Sequence, residues 1–310
     1  MGVQVDYPEA SEIQRVPKVG GPLKFVQYRP SKIEQEWYEK RWVYERTPSE
    51  ICKDLGYHTE KMRSWISFLD HGDHDNGDDF DSDVFSQLVF EDKNGNEHRK
   101  IIEPLIGHFR HPFALPNCKP EGNAVRTQDR SYIAFGGASR VDDSFYPGKR
   151  YLFDLGTAAF WTSLQYFISR YSGLGIEFDS IWAWEAERMP NYWDYVPHDV
   201  QGKLHFYNQA ISSDLTSPSH PLKILKTVYQ PGDFVVLKLD IDNTPLEMSI
   251  MDEVERDDAL RNMISDFMFE LHYNSADMQV HFGSPNMSYA EALMTLRRFR
   301  ELGVPLHYWP

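Results

Sequence analysis

The chain has 310 residues and a formal net charge of −15 at pH 7, a balance that argues against a nucleic-acid partner, whose backbone is met by clustered Lys and Arg. Hydrophobic residues at 41%, with aromatics at 14%, supply one large core or two small ones. No apolar run approaches the ~20 residues of a membrane span.

Taken in order, residues 1–30 are polar, dotted with Pro and Gly, and read as an extended arm. Their first positions lack the basic and apolar stretches of a signal peptide, so a soluble, cytoplasmic protein is expected. Cys52 and Cys118 form no metal-ligand spacing and no framework, and read as buried or idle thiols of a reducing compartment. An α+β region follows over 31–145. Ser31-Lys-Ile-Glu34 is a capping-box pattern that starts a helix running past Trp42. Thr47-Pro-Ser-Glu50 repeats the signal with Gly56 as a stop, and a third helix covers 60–69. The acidic stretch 70–83 invites a calcium-loop reading, but neither Gly72 nor Gly77 falls in the required register, so it reads as a solvated loop.

Residues 84–90 and 99–102 predict two strands around the turn Asp92-Lys-Asn-Gly-Asn96. Glu103, His108, Arg110 and His111 come next. The two histidines stand three apart as possible metal ligands; with Glu103 and Arg110 they line a pocket for a polar substrate or form a hydrogen-bonded cluster at a domain interface. Residues 131–135 read as a further strand, and Gly136-Gly137 as a turn.

From 146 to 310 the pattern is α/β. Tyr151-Leu-Phe-Asp-Leu-Gly156 is an apolar run carrying an aspartate and ending in glycine. Phe160, Leu164, Ile168 and Tyr171 then recur at helical spacing, and a second apolar run over 178–184 closes on Glu185. Strand, tight turn, helix and strand with a terminal acid make the nucleoside-holding unit of doubly wound proteins. Strands are also expected over 203–211, over 233–242, at the end of 259–273 and over 306–309, with a helix capped by Ser288 between the last two. Several carry polar groups at their C-terminal ends, where such sheets bind ligands: Asp154, Glu185, Asn208, Asp240 and Asp242, then Glu270 and His272.

The order of these motifs resembles class I methyltransferases that use S-adenosylmethionine, and among them the FkbM-like group. The matching residues are Phe153-Asp-Leu-Gly-Thr157, Trp184-Glu185, Asn208-Gln-Ala-Ile-Ser212, Lys238-Leu-Asp-Ile-Asp242 and Phe269-Glu-Leu-His272. The resemblance spans about 150–280. It implies a Rossmann-like doubly wound sheet and leaves the N-terminal half unexplained; that region is expected as an α+β extension packed beside the sheet that lids the acceptor site. It also implies that Asp154, Gly156 and Thr157 border the methionine part of the cofactor, that Glu185 binds the ribose hydroxyls, and that Asn208 to Ala210 lie beside the adenine. Asp240, Asp242, Glu270 and His272 would face a small-molecule or glycan acceptor. Two positions depart from the pattern: Ala158, Ala159 and Phe160 stand where a second glycine is usual, and Asn243 where the acidic run is usually followed by glycine. A missing glycine narrows the room for a close backbone approach.

Methyl transfer from a sulfonium is an in-line displacement, helped chiefly by positioning. An alcohol acceptor also loses a proton, to a base such as His272 or through a metal such as Mg²⁺ held by Asp240 and Asp242. Two other readings compete. Asp240-Ile-Asp242 is also the D-x-D arrangement of metal-dependent glycosyltransferases, and a methyltransferase fold without its second glycine can serve as a binding module. Trp182, Trp184 and Trp193 are expected in core and rim, with stacking on a sugar or nucleobase as the alternative.

Overall fold

The computed structural model describes residues 23–71, 81–114, 125–137, 146–275 and 285–310. The N-terminal region opens with a strand, β1 (Lys24–Arg29), where an arm was expected. Four short helices follow: α1 (Lys32–Glu39), α2 (Arg41–Arg46), α3 (Ser49–Tyr57) and α4 (Thr59–His71). The Ser31 side chain caps α1 by accepting from the Glu34 amide, but the helix does not run on past Trp42 unbroken. Lys40 leaves helical geometry (φ −87°, ψ 0°) and divides α1 from α2. Strands β2 (Ser86–Glu91) and β3 (Glu97–Ile102) pair antiparallel as predicted, and β1 adds to β2 in the order β1-β2-β3. The Asp92 carboxylate holds their turn by accepting from the amides of Asn94 and Asn96 and the Asn96 side chain, while Gly95 takes the left-handed conformation (φ 81°).

Two further expectations are corrected in this region. Cys52 is disulfide-bonded and not an idle thiol; a lone cysteine pair at no diagnostic spacing carries no pairing signal, and Cys118 lies outside the described residues. Residues 131–135 form turns and enter a short 3₁₀ segment, Phe135–Gly137, and not a strand. Two of the backbone donors here go to buried acids, the Ala134 amide to Glu103 and the Gly136 amide to Asp266, while those of Ser131 and Ile133 are used locally by Asp129 and the Arg130 carbonyl. The stretch 72–80, most of the acidic loop, lies outside the described residues.

The second half is a six-stranded parallel sheet with helices in the connections. In chain order it comprises β4 (Arg150–Leu155), α5 (Leu164–Gly173), β5 (Ser180–Trp184), α6 (His198–Gln201), β6 (Leu204–Tyr207), α7 (Pro221–Val228) and β7 (Phe234–Leu239). Then come α8 (Thr244–Arg256), α9 (Asp258–Met263), β8 (Asp266–Phe269), α10 (Tyr289–Glu301) and β9 (Leu306–Tyr308). The strand order is β6-β5-β4-β7-β8-β9, and all five neighbouring pairs are parallel. Every residue of β7 is buried, as expected of a central strand covered on both faces. Winding runs outward from β4 to β6, then from β7 to β9, so the direction reverses between β4 and β7. A doubly wound sheet opens its binding crevice at such a point, beyond the strand C-termini.

A buried charged network joins the halves. Arg300, on α10, donates through Nη2 to Glu103 Oε1 at 3.0 Å, through Nη1 to the Glu103 carbonyl, and through Nε to the Leu306 carbonyl. It also reaches Glu34 Oε2 at 3.4 Å. His307 Nδ1 lies 2.9 Å from both Glu103 carboxylate oxygens. Glu34 therefore does not return to the Ser31 amide as a capping-box acid. It accepts instead from Tyr28, Ser86 and Leu105, and the Ser31 amide donates to Ser86.

Candidate functional site

The turn after β4 is fixed by its contact with the segment after β7. Gly156 has φ 85°, and a Cβ there would stand 1.5 Å from the Asp240 carbonyl oxygen, so only glycine fits. The amides of Gly156 and Thr157 both donate to the Trp184 carbonyl at 3.0 Å, tying the turn to β5. Lys238, on β7 and buried, fills the space beneath. Its ammonium lies 3.2 Å from Asp154 Oδ1 and 3.0 Å from Asp240 Oδ2, and donates to the Gly156 carbonyl. Burial alone would lower the Lys238 pKa, but the two aspartates raise it above the usual lysine range, and the group is a fixed cation in the floor of the crevice.

Glu185 follows β5. One carboxylate oxygen accepts from the Ala158 amide at 2.7 Å, the other from its neighbour Glu187 at 2.8 Å. Asn208 follows β6 and works on the same loop: its side-chain nitrogen donates to the carbonyls of Glu185 and Glu187, and its oxygen accepts from the Met189 amide. This use of Asn208 ends β6 at Tyr207, short of the 203–211 read from the sequence. Ala158 has φ 50°, the left-handed region, and so takes the conformation that a second glycine would have supplied. Asn243 carries no such demand. Its φ is −131°, and its side chain caps α8 by accepting from the Leu246 amide. The left-handed residue here is the preceding Asp242 (φ 53°).

These segments enclose a cavity of about 260 Å³ lined by Gly156, Ala158, Glu185, Ala210, Asp240 and Asp242, among others. A larger cavity of about 920 Å³ lies alongside, lined by Asp242, Thr244, Met248, His272, Glu291 and Arg298 among others. Asp242 belongs to both. Around it, Glu270 and His272 follow β8. His272 Nε2 is 3.3 Å from Glu270 Oε2 and 4.0 Å from Asp242 Oδ1, and Nδ1 is 3.3 Å from the Thr244 hydroxyl. Burial, joined by the negative charge of Asp240, pushes Glu270 up to about 7, against the opposing hydrogen bond from His272. Burial works against charge on His272, but Glu270, Glu247 and Asp242 outweigh it and raise its pKa. Burial would raise Asp240 too, yet Lys238 and the hydrogen bond with Glu270 hold it below the usual carboxylate range.

Of the residues expected at the site, Gly156, Glu185, Ala210, Asp240 and Asp242 come together around the smaller cavity, and His272 lines the larger. Asp154 and Thr157 are fully buried behind the turn, and Asn208 holds the Glu185 loop from outside the cavity. Glu103 is in the Arg300–His307 network, His111 accepts from the Phe113 amide, and the Arg110 guanidinium lies 6.0 Å over the Tyr308 ring. Neither cavity's lining includes these three. Trp182 and Trp184 are buried and stack on Phe153, whereas Trp193 is exposed. Sequence reasoning placed Lys238 in a matching motif but assigned it no role, although a lysine inside an otherwise apolar strand is a signal that a buried carboxylate faces it. It missed Thr244, which nothing in the chain pattern marks. No family model, curated protein or solved structure matched the chain.

Proposed function

We propose that the chain is an S-adenosylmethionine-dependent O-methyltransferase, of class I and FkbM-like, acting on a hydroxyl of a small molecule or sugar. One observation carries this reading: the cavity at the winding reversal gathers Gly156, Glu185, Ala210 and Asp240 from the ends of four different strands. The residues present suit the cofactor. Each Glu185 oxygen spends one lone pair on a backbone amide and keeps another for a ribose hydroxyl, with its orientation already set. Ala158 and Ala210 present small side chains beside it, so the walls admit a flat base. When bound, S-adenosylmethionine supplies a methyl group on a sulfonium.

The chain's own residues do the rest. Lys238 locks the Gly156 turn against β7, so the floor of the cavity is in place before any ligand arrives. The larger cavity receives the acceptor, and Asp242 marks where the two spaces meet. The acceptor proton passes to the Glu270–His272 pair, whose 3.3 Å contact lets each group steady the other's charge. Thr244 holds the imidazole from its far side.

Calorimetric titration of S-adenosylhomocysteine tests the reading. Wild type should bind in the micromolar range, and Glu185→Ala should weaken binding by ~2 kcal/mol or more, as expected for a lost charge-assisted contact. Glu185→Gln, which retains the amide acceptor on one side, separates lost charge from a displaced loop. Absence of binding to folded wild type defeats the proposal.

A further inference from the structure

We propose that Asp242, Glu270 and His272 form a binding site for one divalent transition-metal cation of the Zn²⁺ and Mn²⁺ kind, beside the larger cavity at the point where Asp242 borders both. Three ligand atoms, one from each residue, lie within 4.8 Å of one another. The separations from His272 Nε2, 3.3 Å to Glu270 and 4.0 Å to Asp242, are near the ~3–3.5 Å between ligands placed tetrahedrally ~2.0–2.2 Å from an ion. The imidazole is oriented for this role. With Nδ1 protonated and donating to the Thr244 hydroxyl, Nε2 presents its lone pair toward both carboxylates, the outer support that ligating histidines usually have. Asp242 holds a left-handed backbone (φ 53°), uncommon for a residue with a side chain, and keeps its carboxylate 69% exposed, open to an incoming ion.

This ligand set differs from the Asp240–Asp242 pair expected from the sequence. Asp240 is ion-paired with Lys238 and stands outside the group. The change matters for the choice of metal. An imidazole with two carboxylates suits first-row transition metals, from Mn²⁺ to Zn²⁺, which accept a nitrogen beside oxygen ligands, whereas Mg²⁺ prefers oxygen ligands throughout. The inference uses side chains that the proposed function also uses: a cation there occupies the lone pairs a base would need, and a hydroxyl would be activated by coordination instead.

The test is calorimetry on the full chain after chelator treatment, titrating Zn²⁺, Mn²⁺ and Mg²⁺ separately with no nucleoside present. One equivalent of Zn²⁺ or Mn²⁺ should bind per chain, with Mg²⁺ at least tenfold weaker. Asp242→Asn, at an exposed side chain, should weaken Mn²⁺ binding at least tenfold without moving the urea midpoint, because Asn tolerates the left-handed backbone; His272→Gln should weaken it as much, at some cost in midpoint because the imidazole is buried and hydrogen-bonded. No saturable uptake by wild type overturns the site, as does unchanged affinity in folded Asp242→Asn. Separate titration of S-adenosylhomocysteine keeps the two proposals apart. Metal uptake without nucleoside binding defeats only the methyltransferase reading, and nucleoside binding without metal uptake defeats only the metal site.

Discussion

Without the Lys238 ammonium, Asp154 would be fully buried with no countercharge and Asp240 would lose its closest cation. Breaking one side of such a buried pair typically costs about 3–5 kcal/mol. Lys238→Met should therefore lower stability by that much in urea denaturation at pH 7, and Asp154→Asn added to it should restore part of the loss. A loss below ~1 kcal/mol would mean that water reaches Asp154 and that the floor of the crevice is not dry. The identity of the acids was legible in the sequence because each sits at the end of an apolar run, as Asp154 and Glu185 do. Their division of labour was not. Nothing in the spacing of Asp240 and Asp242 says that one turns inward to a lysine while the other, in a left-handed turn, faces outward.

At the level of the element, the turn from β4 into α5 departs most from its expected form. An L-residue in left-handed geometry is strained by roughly 1–2 kcal/mol, and Ala158 carries that strain at φ 50°. Ala158→Gly should relieve it, offset by the greater backbone entropy glycine loses on folding, for a net gain of about 0.5–1 kcal/mol. The urea midpoint measures the gain; a loss would show that the methyl group packs well enough to outweigh the strain. The same pattern of success and failure holds for other elements. The strands at 150–155, 180–184, 234–239 and 306–308 were readable from largely apolar runs, and α10 from its Ser288–Glu291 capping box, which forms in full. Residues 131–135 have strand-like composition, but the Ala134 amide goes to Glu103 and that of the adjoining Gly136 to Asp266, partners that only the tertiary fold supplies. β1 was hidden because none of its residues is fully buried and a bulge at Phe25–Gln27 breaks its alternation, so the stretch resembles an arm until β2 is beside it.

Across the whole molecule, the Arg300–Glu103–His307 network makes stability depend on pH. Burial disfavours charge on His307, yet Glu103 and Asp266 overcome it and push the imidazole up to about 9. A raised histidine stabilises the fold fully below its unfolded value of about 6.5 and loses that contribution as pH rises through the folded one. Stability should thus fall by up to roughly 3 kcal/mol between about pH 6.5 and 9. His307→Asn should be less stable at pH 6 and show a flatter profile over that window in urea denaturation. An unchanged profile would place the proton elsewhere in the network. Among the described residues no helix is long and apolar enough to cross a membrane.

The separation of these partners along the chain also bears on how the protein is made. Glu103 meets Arg300 across 197 positions and His307 across 204. At ~5–20 residues per second, a ribosome needs roughly 10–40 s to cover that distance. Through that interval the nascent N-terminal half holds acids destined for the interior without the cations that make their burial tolerable. It must keep them in water, leaving β1 to β3 and the first helices loosely assembled until the last strand of the parallel sheet emerges.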